Sequence, residues 1–256
     1  YAYGEYIQWL KEKEGDPEEL TRDRALETPT GPPNYRCYKM SLPKELHYNR
    51  YISDSACDVI KETQGRERPF FIWASFPDPH LPITSPEPYC NLYSAEDVKS
   101  PVSREGEIEN LPSYYEKVRK GEIEPNGCNN TGIKDRHWRE MIAGTYGMIT
   151  HIDDEIGRVM AVLTEEGLMD NTLIMFVSDH GDMMGDHGLV GKGPYTFKGC
   201  INIPTIISAP GCQQGVISEA LISQIDLMPG ILDFCGIPMP GSGWEEIETD
   251  FERGSI

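Results

Sequence analysis

Apolar and polar positions follow helical and strand periods along the chain, and together they predict an α/β domain. The longest helical pattern covers residues 136–166, where apolar side chains recur every three or four positions in one broad stripe. Shorter amphipathic patterns predict further helices at residues 3–14, 48–63 and 225–236. Continuous apolar runs predict buried strands at residues 69–76, 173–177 and 201–211. The strand–helix–strand order around 136–166 favours a largely parallel sheet flanked by helices.

One long segment, residues 83–135, shows little periodicity and contains several prolines. Loops of this length inside a domain are usually functional or disordered, so we expect this excursion to shape a substrate pocket. Residues 241–256 are acidic and contain several glycines, and we predict a frayed tail there. The pattern thus predicts one domain over residues 1–240, followed by that tail.

Charged and polar residues follow the predicted strand 173–177 directly. A carboxylate, two imidazoles and a lysine lie within fourteen residues, as Asp179, His180, His187 and Lys192. In an open α/β sheet, ligands bind at the carboxyl ends of the strands. Carboxylates and imidazoles are metal ligands, and the intervening glycines allow close backbone approach. A polar loop with two solvated histidines is the alternative, but the density of these groups favours a site.

A second candidate lies at the end of the predicted strand 69–76. His80 follows that run in a loop that contains Pro77, Pro79 and Pro82. A histidine on a rigid surface turn would look the same, but the strand-end position favours a site residue. The adjacent acids Asp153 and Asp154 point about 100° apart on a helix, so we assign them to structure rather than to a metal.

The net charge of −19 limits the partners of the chain. Nucleic acids and anionic membranes would be repelled, whereas a small anionic substrate can still enter a cleft with local positive charge. No apolar run approaches the roughly 20 residues that span a bilayer. The seven cysteines contain no C-x-x-C pair, so we do not expect a structural zinc site.

Three motifs in order resemble the sulfatase family of the alkaline phosphatase superfamily, with coverage from about residue 41 to 240. The first is F-F-I-W-A-S-F-x-x-P-H-L-P at 70–82. The second is Y-G-M-I-T-H-I-D-D-E-I-G-R-V at 146–159 with S-D-H-G-D-M-M-G-D-H-G-L-x-G-K at 178–192. The third is I-P-T-I-I-S-A-P-G at 203–211 with S-Q-I-D-L-M-P-G-I-L-D at 223–233. The resemblance is closer to choline-sulfatases and phosphonate monoester hydrolases than to arylsulfatases with Asp-Asn at the metal. It implies an alkaline-phosphatase-like fold with a mixed, largely parallel sheet that is incomplete at its amino-terminal side.

The resemblance also implies roles for individual residues. Asp179 and His180 match the family's two late metal ligands, and the ion would be calcium, with manganese or magnesium as alternatives. Lys192 matches the lysine that contacts the transferred oxygens and the leaving oxygen. His80 matches the histidine that hydrogen-bonds the sulfate and protonates the leaving group. Asp182 and His187 are expected to contact these site residues and hold them in position, without contacting the metal or the substrate themselves.

Two parts of the family pattern are absent from the chain. The nucleophile motif Cys/Ser-x-Pro/Ala-x-Arg, whose cysteine becomes formylglycine, matches the context of neither Cys37 nor Cys57, nor that of any other cysteine. The early Asp-Asp metal pair is also missing, and Lys198 stands where a Glu is common. We therefore expect the nucleophile to lie outside this chain, which would bind metal weakly and hydrolyse nothing by itself.

The resemblance predicts a sulfuric ester hydrolase acting on a small sulfated substrate. The alternatives are a phosphonate or phosphate ester hydrolase of the same superfamily, and a non-catalytic fragment that binds an anion or a partner. No nucleic acid or membrane partner is expected, and homo-oligomerisation is left open. A periplasmic or secreted location and a cytoplasmic one both fit the sequence.

Overall fold

Helices supply most of the regular structure, and the strands are short. The computed structural model describes residues 3–13, 32, 35–40, 42–63, 65, 68–124 and 131–239 of the chain. The helices within those ranges are α1 (Tyr3–Lys13), α2 (Tyr48–Glu62), α3 (Ser113–Arg119), α4 (Asp135–Glu165), α5 (Lys198–Ile201) and α6 (Leu227–Phe234). The strands there are β1 (Cys37–Lys39), β2 (Ile83–Ser85), β3 (Ile174–Val177) and β4 (Thr205–Ser208).

The chain divides into two compact units. The first comprises the described residues of Tyr1–Gly167 and Asp182–Ile201, and the second comprises those of Leu168–Gly181 and Asn202–Ile256. The first unit contains α1 to α5 with β1 and β2, and the second contains β3, β4 and α6. The stretch predicted to hold the site is therefore shared between the two units.

Helix α4 is the element against which much of the first unit packs. Its bounds confirm the predicted helix at 136–166, and its apolar stripe buries Met141, Met148 and Leu163. Helix α2, both strands of the first unit and a short 3₁₀ helix at Tyr89–Asn91 contact it. An amphipathic helix with one wide apolar face forms stably only when that face is covered, which is what these elements do.

Two glycines let neighbouring backbone approach α4 closely. A Cβ atom at Gly144 would lie 2.7 Å from Ile83 Cγ2 in β2. A Cβ atom at Gly147 would lie 2.5 Å from the carbonyl oxygen of Tyr89. A real Cβ atom cannot come this close to another heavy atom. Glycine at positions 144 and 147 therefore allows β2 and the 89–91 turn to lie this near to α4.

The strands form two separate ladders. β1 and β2 are parallel, with Cys37 opposite Ile83. β3 and β4 are antiparallel, with Ile174 opposite Ser208. Helices combined with parallel pairing confirm the α/β class. The expectation that the strand at 173–177 is buried on both faces of a parallel ladder is wrong, because its described partner runs antiparallel and Phe176 is 40% exposed.

The predicted strand at 69–76 is not formed. Residues 70–76 have no assigned helix or strand, and no strand in the described part of the chain pairs with them. Phe71 and Trp73 are 71% and 73% exposed. Strand structure needs ladder hydrogen bonds from a neighbour as well as an apolar sequence, and only the second condition is met here.

The shorter helices agree largely with the sequence. α1 confirms the helix predicted at 3–14, and α2 confirms the one predicted at 48–63, although its N-cap is His47. α6 confirms the helix predicted at 225–236, which ends before Gly236 with its left-handed φ of 66°. Among the residues described, no helix is both long and apolar enough to cross a membrane.

The predicted long excursion at 83–135 contains regular structure. β2, the turn Tyr89–Asn91 and α3 all lie within it. Tyr115 and Val118 of α3 join a buried cluster with Leu189 and Tyr195, which lie beyond α4 in sequence. These apolar contacts explain why the described part of this segment, residues 83–124 and 131–135, has regular structure despite its weak periodicity. The predicted tail at 241–256 lies outside the described residues.

Replacing Gly147 with Ala should destabilise the first unit. The added Cβ would meet the Tyr89 carbonyl oxygen and lie 3.2 Å from Ser85 Oγ. Overpacking of this kind typically costs about 1–3 kcal/mol, more than the roughly 1 kcal/mol that Ala gains over Gly inside a helix. Urea denaturation followed by circular dichroism measures the change in the free energy of unfolding.

The matched control for this substitution is Gly157→Ala on the same helix. A Cβ at position 157 meets nothing within 4 Å. The control should be neutral or stabilising by up to about 1 kcal/mol. Equal responses at positions 147 and 157 would contradict the close approach of the 89–91 turn to α4.

Candidate functional site

The end of β3 brings Asp179 and His180 together. Asp179 Oδ2 lies 3.4 Å from His180 Nε2, and Asp179 Oδ1 accepts a hydrogen bond from the backbone N–H of His180 at 2.9 Å. His180 Nδ1 lies 2.8 Å from the carbonyl oxygen of Gly181. Because a carbonyl only accepts, this contact places the ring proton on Nδ1 and the lone pair on Nε2, beside the carboxylate. Oxygen and nitrogen donors this close can bind one cation.

The backbone that presents this pair is held by side-chain hydrogen bonds. Ser178 Oγ donates to the carbonyl oxygen of His180 at 2.8 Å. Gln224 belongs to a short 3₁₀ helix, Gln224–Asp226. Its side-chain amide donates to the carbonyl oxygens of Ser178 and Asp179 at 3.0 and 2.5 Å. The Asp179 side chain remains 82% exposed, so the pair faces solvent while its backbone is fixed. Sequence reasoning did not anticipate Gln224.

The remaining residues of the predicted stretch have separate contacts. Asp182 Oδ1 accepts a hydrogen bond from the backbone N–H two residues later at 2.9 Å. His187 Nδ1 lies 2.9 Å from Glu107 Oε2, and its ring stacks on Phe197 with centroids 4.2 Å apart. Lys192 is half-buried. Asp182 and His187 thus brace their own turn, and their supporting role for the site stays a prediction.

The predicted site residues fall into both compact units. The expected metal ligands, Asp179 and His180, belong to the second unit. The expected anion contacts, His80 and Lys192, belong to the first. The geometry of the structure therefore brings together the ligand pair, while the roles of His80 and Lys192 stay predictions.

His80 lies exposed in the loop that follows residues 70–76. Its Nδ1 lies 2.7 Å from the carbonyl oxygen of Leu81, and its backbone N–H donates to the carbonyl oxygen of Pro77 at 3.1 Å. The carbonyl contact again places the ring proton on Nδ1 and leaves Nε2 as the atom that can take up or release a proton. A ring fixed in this way is suited to proton transfer at a single nitrogen.

Asp78 anchors this loop to α2. It is only 7% exposed, between exposed prolines on either side. The Tyr48 hydroxyl donates to one of its carboxylate oxygens, and the Asn49 side-chain amide donates to the other at 2.8 Å. Burial raises the pKa of Asp78 to about 7, against the lowering effect of these hydrogen bonds. The position of His80, two residues later, therefore depends on a buried contact with the first turn of α2.

His47 and His151 complete a buried cluster around Asp78. One ligand atom from each of the three residues lies within 4.8 Å of the others. The two imidazole rings are fully buried, with centroids 4.8 Å apart. Burial lowers the pKa of His47 well below its ordinary value and lowers the pKa of His151 to about 4. Both rings are therefore neutral around pH 7.

A salt-bridge network continues from this cluster along the α2–α4 interface. Glu155 accepts hydrogen bonds from the Ser53 hydroxyl and from Arg158 Nη1, the latter at 2.7 Å. Arg158 Nη2 lies 2.6 Å from Asp54 Oδ1, and Arg50 Nε lies 2.8 Å from the same oxygen. His151 Nε2 lies 3.8 Å from Glu155 Oε1, beyond hydrogen-bond distance.

The sequence held one signal for this cluster. His151 and Glu155 are four residues apart, so they share one face of α4, and that face also buries Met148 and Ile152. Polar residues on an otherwise apolar helix face indicate buried partners. The identity of those partners could not be read, because Asn49 and Asp78 lie far away in sequence.

Comparisons with known proteins agree in sequence and in structure. The family model described as Sulfatase matches residues 2–237. An arylsulfatase of Clostridium perfringens is 33% identical over 242 residues, covering 93% of this chain and 47% of that protein. The multifunctional alkaline phosphatase superfamily protein PehA of Trinickia caryophylli is 35% identical over 209 residues, covering 78% and 40%. The phosphonate monoester hydrolase SpPMH from Silicibacter pomeroyi superposes with a TM-score of 0.76 at 26% identity, covering 94% and 47%. The chain spans about half the length of the relatives it matches.

Replacing His151 with Gln should reduce the acid sensitivity of the free energy of unfolding. The pKa of His151 is about 4 in the folded protein, against an ordinary value of 6.5 for histidine. As the pH falls, the unfolded state therefore takes up the proton first. The wild type therefore loses about 2–3 kcal/mol between pH 7 and pH 4.5 through this residue, and the variant does not. Urea titrations at both pH values in EDTA measure the difference, and an equal loss in both proteins would contradict it.

Proposed function

The chain belongs to the sulfatase family, and from this premise we propose that it forms the carboxyl-side part of a catalytic domain that hydrolyses sulfate esters. The expected family and the alkaline-phosphatase-like α/β fold are confirmed. The observation that carries the proposed activity is the Asp179–His180 pair at the end of β3, with its donor atoms 3.4 Å apart. A pair of ligands at a strand end is where an α/β sheet places a site.

The donor set at β3 fits a divalent cation. Asp179 offers an anionic oxygen, and the contact of His180 Nδ1 with the Gly181 carbonyl keeps the lone pair on Nε2. We propose calcium as the ion, since it favours oxygen ligands, with manganese or magnesium as alternatives because of the imidazole. When bound, the ion withdraws charge from the oxygens of the transferred group.

His80 and Lys192 supply the remaining chemistry in this proposal. The Lys192 ammonium group neutralises negative charge on the transferred and leaving oxygens. His80 Nε2 carries a proton to the leaving oxygen, while Nδ1 stays hydrogen-bonded to the Leu81 carbonyl. Asp78 keeps this loop in place through α2. The proposed substrate is a small sulfated molecule, and the net charge of −19 disfavours anionic polymers.

The proposed nucleophile, a formylglycine, lies outside this chain. Support comes from the sequence, since no cysteine here has the Cys-x-Pro-x-Arg context that the family uses. Without that group the residues described above can bind and polarise a sulfate ester but cannot attack its sulfur. This chain alone is therefore proposed to be inactive.

A second candidate function is hydrolysis of phosphonate or phosphate esters. The favouring observation is the superposition on a phosphonate monoester hydrolase with a TM-score of 0.76, together with the Asp-His rather than Asp-Asn pair. The same cationic groups serve both anions, because sulfate and phosphate esters share tetrahedral geometry and negative oxygens. The third candidate is a fragment that binds anions without catalysis. In the hydrolysis assay described next, it would show no activity even after complementation.

We expect the chain alone to release no 4-nitrophenol from 4-nitrophenyl sulfate above the uncatalysed rate. Co-expression with the amino-terminal half of the Clostridium perfringens arylsulfatase should restore hydrolysis in the presence of calcium. Lys192→Ala or His80→Ala should then lower kcat/KM by about 10²–10³-fold, as is typical for the loss of an oxyanion contact or a general acid. A continuous absorbance assay provides all of these values.

Lys99→Ala, at an exposed lysine, is the matched control and should leave kcat/KM unchanged. Preferential cleavage of a phosphonate monoester by the complemented enzyme would favour the second candidate. Sulfate release by the chain alone at rates typical of enzymes would overturn the proposal that the nucleophile lies elsewhere.

A further inference from the structure

Three separate elements converge on the buried cluster of His47, Asp78 and His151. His47 is the N-cap of α2, Asp78 lies in the loop before β2, and His151 lies in the middle of α4. All three are buried, and a ligand atom of each lies within 4.8 Å of the other two. Two imidazoles and one carboxylate are therefore close together without access to solvent.

Several polar atoms of this cluster lack hydrogen-bond partners. His47 Nε2, His151 Nε2 and Asn49 Oδ1 are buried and accept or donate no hydrogen bond. Buried polar side chains in folded proteins are nearly always paired, because an unpaired one forfeits its hydration without compensation. Three such atoms in one cluster indicate that a group able to satisfy all of them belongs there.

The charge of the cluster points to a cation. The recorded hydrogen bonds to Asp78 come from the neutral groups of Tyr48 and Asn49. Arg158 and Arg50 of the same interface are paired with other carboxylates, Arg158 with Glu155 and Asp54 and Arg50 with Asp54. A buried carboxylate that receives only neutral donors is poorly compensated, and a divalent ion would supply the missing positive charge.

We propose that His47, Asp78 and His151 form a second cation site, a closed structural site whose donor set fits zinc. Two imidazole nitrogens and a carboxylate oxygen are typical zinc ligands, whereas calcium and magnesium sites are built mainly from oxygen ligands. The Asn49 amide, rotated by 180°, would offer its oxygen as a fourth ligand in place of the present nitrogen. This proposal departs from the expectation of no structural zinc site, which rested on the absence of a C-x-x-C pair, because the ligands here include no cysteine.

This site is separate from the sulfatase chemistry. Asp78 and His151 lie within stretches that carry the family resemblance, but the resemblance implies no metal-binding or catalytic role for His47, Asp78 or His151. The site would join α2, α4 and the loop that carries His80, so its role is to fix the first unit. It does not rest on the proposed function, and its test needs no activity.

Metal binding must compete with two existing contacts. His47 Nδ1 accepts the backbone N–H of Asn49 at 3.2 Å, and a zinc ion on either ring nitrogen displaces that cap. The Asn49 amide nitrogen contacts Asp78 at 2.8 Å and lies 3.5 Å from His151 Nδ1. These are single neutral hydrogen bonds, whereas coordination supplies three ion–ligand bonds, so the exchange favours zinc. The ligand atoms of a tetrahedral zinc ion lie about 3.4 Å apart. The three ligand atoms here lie within 4.8 Å of one another, so their side chains must move closer together when zinc binds.

The test uses the whole chain stripped of metal with EDTA. Zinc is titrated in competition with a chromophoric chelator, and the zinc retained after gel filtration is counted by mass spectrometry. The starting protein carries Asp179→Ala and His180→Ala, which removes the exposed pair. We expect one zinc ion per chain in this protein and at least one in the wild type, which keeps the exposed pair. Adding His47→Gln or His151→Gln should weaken binding by more than about 100-fold, since even the loss of an outer partner costs 10–100-fold.

His137→Gln is the matched control, because His137 is a second buried histidine of α4 outside the cluster. Its zinc affinity should equal that of the starting protein. Circular dichroism establishes that each variant is folded. Should the histidine variants fail to fold, zinc K-edge X-ray absorption of the starting protein decides, and two imidazole ligands are expected. Absence of bound zinc, zinc without imidazole, or binding lost on removal of Asp179 and His180 would overturn the proposal.

Discussion

A buried carboxylate, Glu155, constrains how the first unit is assembled. It lies in the α2–α4 interface, where an unpaired charge would cost several kcal/mol. Ser53 and Arg158 satisfy it, and Arg158 also binds Asp54, so the two helices are joined in one register. Apolar packing alone tolerates sliding of one helix along another, whereas this network is satisfied in one arrangement only.

The same register determines where the His80 loop begins. Because α2 is fixed against α4, its first turn presents Tyr48 and Asn49 to Asp78. The loop is thus held from the interior of the protein by a contact that does not involve any substrate. The ligand pair at β3 is built differently, since its geometry comes from adjacent residues and from the Gln224 amide. His80 therefore depends on packing between helices, whereas Asp179 and His180 depend on adjacent backbone and on one hydrogen-bonding side chain, Gln224.

The sequence was sufficient wherever the determining contacts are local. The apolar stripe of α4 and the adjacency of Asp179 and His180 follow from residues close together in the chain. It was insufficient where a distant partner decides. The apolar run at 70–76 predicted a strand, but strand formation requires a neighbour that the run itself does not specify. The partners of His151 in the cluster around Asp78 could not be identified, because Asn49 and His151 are 102 residues apart.

The exposed segment at 70–76 has a consequence for the behaviour of the protein in solution. Among the described residues no strand pairs with this segment, and an apolar segment with unpaired backbone is a place where another chain can add a strand. Phe71 and Trp73 make such addition favourable, whereas the negative charge of every copy opposes it. The range of that repulsion shrinks from about 30 Å at 0.01 M salt to about 3 Å at 1 M. For any such strand addition between copies, electrostatic repulsion would oppose contact more strongly in dilute buffer than in concentrated salt.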